Sequence, residues 1–162
     1  MAARADRSRT LAGPHRYLLG DPETQPILHR LRSDLAAVLL AAATGELGGV
    51  TLDWDPGPSV CVVMASGGYP GKFDSGFPIS GINEAEAAGA TVFHAGTRLG
   101  PHGLETAGGR VLGVTASGAD LAEAIDRAYS AAGAIHFDRM HYRRDIGAKG
   151  LRRYNRNVGT GT

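Results

Sequence analysis

The spacing of apolar positions changes once along this chain, and the change divides it. In 33-SDLAAVLLAAATG-45, Leu35, Val38, Leu39 and Ala42 recur at helical spacing. Ser33 and Asp34 supply a start and Gly45 a stop. The pattern predicts a helix through about Thr44 with those four residues as its buried face. Upstream, Asp21 followed by Pro22 reads as a cap and a first-turn proline. Pro26 then interrupts, which predicts a short separate piece there.

Past Gly48 and Gly49 the pattern becomes strand-like. The segment 50-VTLDWD-55 alternates, as an edge strand would. The continuous apolar run 58-PSVCVVMAS-66 predicts a central strand, and 91-TVFHAGTRL-99 and 109-GRVLGVTAS-117 predict two more. Leu104 fits a short strand between them, and Gly108-Gly109 reads as a hairpin turn. Ser117 and Asp120 have capping-box spacing, with Asp in place of the usual Glu. They open a helix over 119–132, with Leu121, Ala124, Ile125, Ala128 and Ala132 as its inner stripe. The segment 135-IHFDRMHYR-143 reads as a last extended piece. The expected fold class is α+β: a mainly antiparallel sheet with helices packed on one face.

Composition narrows the function classes. The 162 residues suit one ordinary domain, 43% hydrophobic content supports a core, and 24 glycines favour a turn-rich sheet protein. A net charge of +1 gives no general reason to expect nucleic acid or a membrane surface as partner. Local basicity is confined to 143-RRDIGAKGLRRYNR-156, six Lys or Arg against one Asp, which reads as a solvated tail. The single Cys61 excludes an internal disulfide and is compatible with a reducing cytoplasm. No apolar run reaches the roughly 18 residues of a membrane span. The basic start MAARADRSRTLAG lacks a following apolar stretch, so it is expected to be a disordered leader rather than a secretory signal.

His94, His102, His136 and His141 are spread over the strand region, and His136 alternates with Asp138. A shared face could suggest a metal, but the spacings of known His or Cys/His metal motifs are missing. Cys61, inside an apolar run, reads as a small core residue rather than a nucleophile. The glycine loops match neither common phosphate-cradling pattern. Three punctuated segments remain, GDPETQP, ASGGYPGK and FHAGT, each with glycine at an element end. There a backbone can turn tightly or approach another group closely.

Taken together, GDPETQPIL, the SDL helix, VCVVMASGGYPGKF, VFHAGT, GGRVLGVTASG and IHFDRMHYRRDIG resemble the C-terminal part of glycinamide ribonucleotide synthetase, also called phosphoribosylamine–glycine ligase. The resemblance runs from about Gly20 to about Leu151. It implies an ATP-grasp ligase of purine biosynthesis that joins glycine to 5-phosphoribosylamine, with ATP and Mg²⁺ or Mn²⁺ as cofactors. It implies that 49–151 is the C-terminal domain, in the manner of a rudimentary hybrid-type fold, and that 20–48 is a helical remnant of the ATP-grasp region. It implies that Asp21, Pro22 and Glu23 face substrate, and that Gly67, Gly68, Tyr69, Pro70 and Gly71 form a loop docked to a neighbouring domain. For Asp21 and Glu23 the residues also allow a simpler role, capping a helix and complementing its dipole.

The resemblance stops at about Leu19. Where the family carries a Glu-x-Asn-x-Arg-Phe run with metal-binding Glu and Asn, this chain has Pro14, Arg16, Leu18 and Leu19. Neither proline nor arginine offers a side-chain oxygen to a metal. Residues 1–19 are therefore expected to be a non-family leader, 152–162 a flexible basic tail, and no ATP or metal is expected on this chain alone. Three roles stay open: a truncated, inactive ligase portion; a module that complements separate ATP-grasp lobes; and a domain with a new role using the basic tail.

Overall fold

The computed structural model describes residues 23–152. The first helix, α1 (Thr24–His29), has Pro26 at its third position. The first four N–H groups of a helix have no partner within it, so a proline there forfeits no hydrogen bond. The helix runs through Pro26 rather than being interrupted by it. The second helix, α2 (Leu35–Thr44), starts and stops as expected. Asp34 accepts the backbone N–H groups of Ala36 and Ala37, at 2.8 and 3.3 Å, and Gly45 closes the helix at φ +79°. Its expected buried face is absent. No residue of α2 is buried, and Leu39 and Leu40 are 59% and 64% exposed. Because α2 is apolar on every side, spacing alone does not pick a face.

A 3-10 turn (Leu47–Gly49) follows. The segment 50–55 is not the expected edge strand; it makes one isolated bridge, Leu31 to Trp54. Ser33 Oγ takes the Asp53 N–H at 2.7 Å, and the Arg30 carbonyl takes the Asp55 N–H at 2.7 Å. Pro56 and Pro58 have no N–H with which to continue a ladder.

The remaining elements are β1 (Ser59–Ala65), α3 (Ile82–Ala87), β2 (Thr91–His94), β3 (Thr97–Gly100), β4 (Gly103–Thr106), β5 (Arg110–Ser117) and α4 (Leu121–Ala134). The main sheet has the antiparallel order β1-β5-β2. The α+β expectation holds, with three corrections of detail. First, β5 is central, and β1, expected there, is lateral. Second, 91–99 is not one strand. Ala95 and Gly96 carry the ladder on to Val111 and Arg110, at 3.0 and 2.8 Å, and the chain then departs as β3. Third, Gly108-Gly109 is not a hairpin turn, because β4 pairs with β3 in a second small sheet. The tight hairpin is Gly100 to Gly103, around Pro101 and His102.

Register assigns the faces. Val60, Val62 and Met64 lie opposite Ala116, Val114 and Leu112, and with Val92 they meet the buried Ala124, Ala128, Ala131 and Ala132 of α4. Leu121 and Ile125 close the edge of this core, so the expected α4 stripe stands. The opposite face carries Cys61 against Thr115 and Val63 against Gly113, beneath Gln25 of α1. Helices therefore cover both faces, not one. That is why β1 reads as continuously apolar although it lies at the side of the sheet.

The α4 cap is Asp120 rather than the expected Ser117, so the capping box is shifted by three residues. Asp120 accepts the Glu123 N–H at 2.9 Å, and Glu123 reaches back to the Ala119 N–H at 2.7 Å. Asp120→Ala is expected to cost about 1 kcal/mol, read as a lower urea midpoint at unchanged slope. A midpoint equal to the wild type would contradict this assignment. The segment 135–143 buries Ile135 and Phe137 completely. It forms no strand, only two single bridges, His136 to Ser80 and His141 to Ala65. These partners lie in different parts of the chain, so no ladder can propagate.

Candidate functional site

The strand β1 ends at Ala65, and the loop that follows is held by the chain's own turns. Ser66, 1% exposed, donates its N–H to the Gly109 carbonyl and its hydroxyl to the Gly108 carbonyl, both at 2.8 Å. Within the loop the Tyr69 N–H reaches the Ser66 carbonyl at 3.1 Å, and the Gly71 N–H reaches that of Gly68 at 2.7 Å. The Tyr69–Pro70 peptide is cis. A Cβ on Gly67 would stand 2.7 Å from the Arg139 carbonyl oxygen and 2.8 Å from the Arg139 Cβ. A Cβ on Gly109 would run into the Tyr69 ring, which meets Phe73 edge-on at 6.3 Å. Arg139, at φ +57°, pairs with Asp74 at 2.8 Å. Gly67 and Gly109 are thus glycines because other parts of the chain occupy their side-chain space. The outer residues Gly68, Pro70, Gly71 and Phe73 remain exposed. Sequence reasoning found the loop but missed Ser66, Gly109 and Arg139, its anchors, because nothing local announces contacts so far apart in the chain.

A second region surrounds α1. Glu23 is exposed and, with Pro26, Ile27, Arg30, Trp54, Pro58 and Ser59, lines an open groove of about 670 Å³. Asp21 and Pro22, expected to share its role, lie outside the described residues, as do Pro14, Arg16, Leu18 and Leu19. Below the groove the chain is stapled. Arg30 donates through Nε and Nη2 to the Asp55 carbonyl at 3.2 and 2.9 Å, and Arg32 pairs with the Asp55 carboxylate at 2.9 Å. That hydrogen bond from Arg32, with one from the Gly57 N–H, holds the Asp55 carboxyl below the usual carboxylate range. The Arg32 N–H also bonds the Asp53 carbonyl at 2.9 Å. Residues 34–52 therefore leave and return at one neck, and they carry α2 as an apolar arm.

The histidines do not converge. His94 bonds the Thr97 hydroxyl at 3.1 Å beside a second groove of about 470 Å³, lined also by Ser80, Asn83, Glu84 and Glu86. His102 sits in the β3–β4 hairpin, and His136 and His141 make bridges to different segments. Among the described residues no three His, Cys, Asp or Glu side chains are grouped to hold a metal ion. Cys61 is buried, the small core residue expected. No helix among the described residues is long and apolar enough to cross a membrane.

Comparison with known proteins agrees with this architecture. Residues 59–149 match the family described as phosphoribosylglycinamide synthetase, C domain. The chain is 55% identical over 136 residues to the chloroplastic phosphoribosylamine–glycine ligase of Arabidopsis thaliana, covering 82% of this chain and 26% of that protein. It is 50% identical over 135 residues to the phosphoribosylamine–glycine ligase of Allochromatium vinosum, covering 83% of this chain and 32% of that one. A crystal structure of phosphoribosylamine–glycine ligase from Thermotoga maritima superposes with a TM-score of 0.63 at 32% identity, over 78% of this chain and 31% of that one. The chain thus spans between 26% and 32% of these relatives' lengths. By the match of its sheet, loops and α4 over more than half its length, this chain belongs to the phosphoribosylglycinamide synthetase C-domain family.

Proposed function

We propose that this chain serves phosphoribosylamine–glycine ligation in de novo purine biosynthesis, in which ATP, glycine and 5-phosphoribosylamine yield glycinamide ribonucleotide, ADP and phosphate. Its part is the C-terminal wall of the enzyme, not the whole machine. The observation that carries this reading is the family match over 59–149 in a chain that spans under a third of each ligase compared. In this reading 49–151 is the C-terminal domain, and 20–48 is a remnant of the ATP-grasp region. Asp21, Pro22 and Glu23 face substrate. ATP and Mg²⁺ or Mn²⁺ are held by ATP-grasp lobes supplied by other sequence, in the cytoplasm. A rigid wall helps such chemistry by keeping water from a reactive acyl group.

A specific observation favours a complementing module over an inert remnant. The arm residues Leu35, Leu39, Leu40 and Leu47 are between 36% and 64% exposed, an apolar surface suited to a protein partner. In this reading the separate lobes cover that arm and meet the outer side of Gly67–Gly71. The test is ADP release by the purified 162-residue chain with ATP, Mg²⁺, glycine and freshly made 5-phosphoribosylamine. No turnover alone is expected, with turnover appearing when the remaining N-terminal portion of a related ligase is added. Turnover by the chain alone would overturn the dependence on added lobes. No association with that portion, seen by sedimentation, would overturn the module.

A further inference from the structure

Exposed apolar surface is concentrated on the arm and its neck. Nine large apolar side chains are exposed among the described residues, and seven of them lie between Ile27 and Trp54. The main neighbour of α2 is the 3-10 turn of its own arm, not the sheet. Val38 and Ala41 are half-buried and share one side of the helix. Ala36, Leu40 and Ala43 lie by helical spacing on the opposite side, and all three are exposed. This side offers little to a polar ligand. The span Leu35–Thr44 carries no charge, and its one polar side chain, Thr44, directs its hydroxyl to the Leu40 carbonyl at 3.1 Å. An occupant that fits is itself apolar.

We propose that this occupant is a second copy of the chain: two α2 helices pair antiparallel about a two-fold axis, with Leu40 of each copy seated against Ala43 of the other. Large side chains set against small ones let two helices approach to about 8–10 Å. The same offset carries Glu46 of each copy to the first turn of the other copy's α2, where the positive end of the helix dipole favours an acid. A two-fold pairing buries the same patch on both copies and closes at two. The helix is already formed, capped by Asp34, closed by Gly45 and held by the stapled neck, so pairing orders little new chain. The interface is small. A ten-residue helix is about 15 Å long, and one side of it falls short of the roughly 800 Å² per partner of a standard interface. The pair is therefore weak and depends on concentration. Added ATP-grasp lobes would compete with the second copy for the arm, but the pairing itself concerns only copies of this chain and does not rest on the ligase reading.

The test is sedimentation equilibrium of the full chain across the micromolar range. The mass is expected to rise with concentration from that of one chain toward that of two and to stop there. Leu40→Glu is expected to stay at one chain throughout, with an unchanged urea midpoint, because Leu40 is exposed and its loss costs the fold little. A wild type that remains single, a mass that climbs past two, or a Leu40→Glu variant that still pairs would overturn the proposal. Oxidative cross-linking then reads the orientation, with Cys61 buried in every variant. Ala43→Cys is expected to form a disulfide between copies. Ala36→Cys is not, because the antiparallel offset sets the two Ala36 positions about 16 Å apart along the helices. A link at position 36, or none at 43, would also overturn it. None of these readouts depends on turnover, so a failure of the ligase proposal leaves the result intact.

Discussion

Phe137→Ala is expected to lower the unfolding free energy by about 3–5 kcal/mol, the range for removing a buried aromatic ring. Phe137 is fully buried and is the largest side chain so enclosed among the described residues. It comes from the 135–143 segment, whose backbone joins the rest of the fold only through single bridges and whose Ile135 and Phe137 are the side chains sunk in the core. Its removal leaves a cavity in the core that it shares with Met64, Leu112 and Ile135. The rigid sheet and the close-packed alanines of α4 can fill little of that space. Urea unfolding of the purified variant measures the loss, and a cost under about 1 kcal/mol would show that the core collapses around the vacancy.

The second large effect is expected at Gly67. Both nearest atoms to an added Cβ belong to Arg139, its carbonyl oxygen at 2.7 Å and its Cβ at 2.8 Å. Those atoms cannot rotate aside as a side-chain end would. The loop or the 139 segment has to move, at about 2–3 kcal/mol by the usual cost of overpacking. Gly67→Ala carries the offending atom, so alanine is expected to cost nearly as much as valine. This sets the substitution apart from a simple loss of glycine flexibility, for which alanine is mild. An alanine variant within about 0.5 kcal/mol of the wild type would mean that the loop is not held against Arg139. Because the same shift moves Tyr69 and Pro70, this variant is also expected to weaken association with added ATP-grasp lobes.

The elements read correctly are those whose signals are local. Asp34 and Gly45 bound α2 because a cap depends on the residues beside it, and the alanine stripe of α4 sits where its period puts it. The run 109–117 became β5, with its strand beginning at Arg110. The errors have one origin, the identity of a distant neighbour. The continuous apolar run of β1 predicts a central strand, yet it is apolar throughout because α1 lies on one of its faces and α4 on the other. Gly108-Gly109 looks like a hairpin turn, but β5 had already found its partners in β1 and β2. The spacing in α2 predicts a buried face that the described residues do not supply.

The amino-acid sequence by itself determined where α2 starts and stops, that the runs 58–66 and 109–117 are strands, and which family the motifs resemble, because propensity, capping and motif spacing are properties of neighbouring residues. Only the tertiary structure decided that β5 is central, that the SGGYPG loop rests on Gly109 and Arg139, and that residues 34–52 form an arm on a stapled neck. Each of these is a contact between residues far apart in the chain. Burial and register depend on what lies opposite, which no local pattern records.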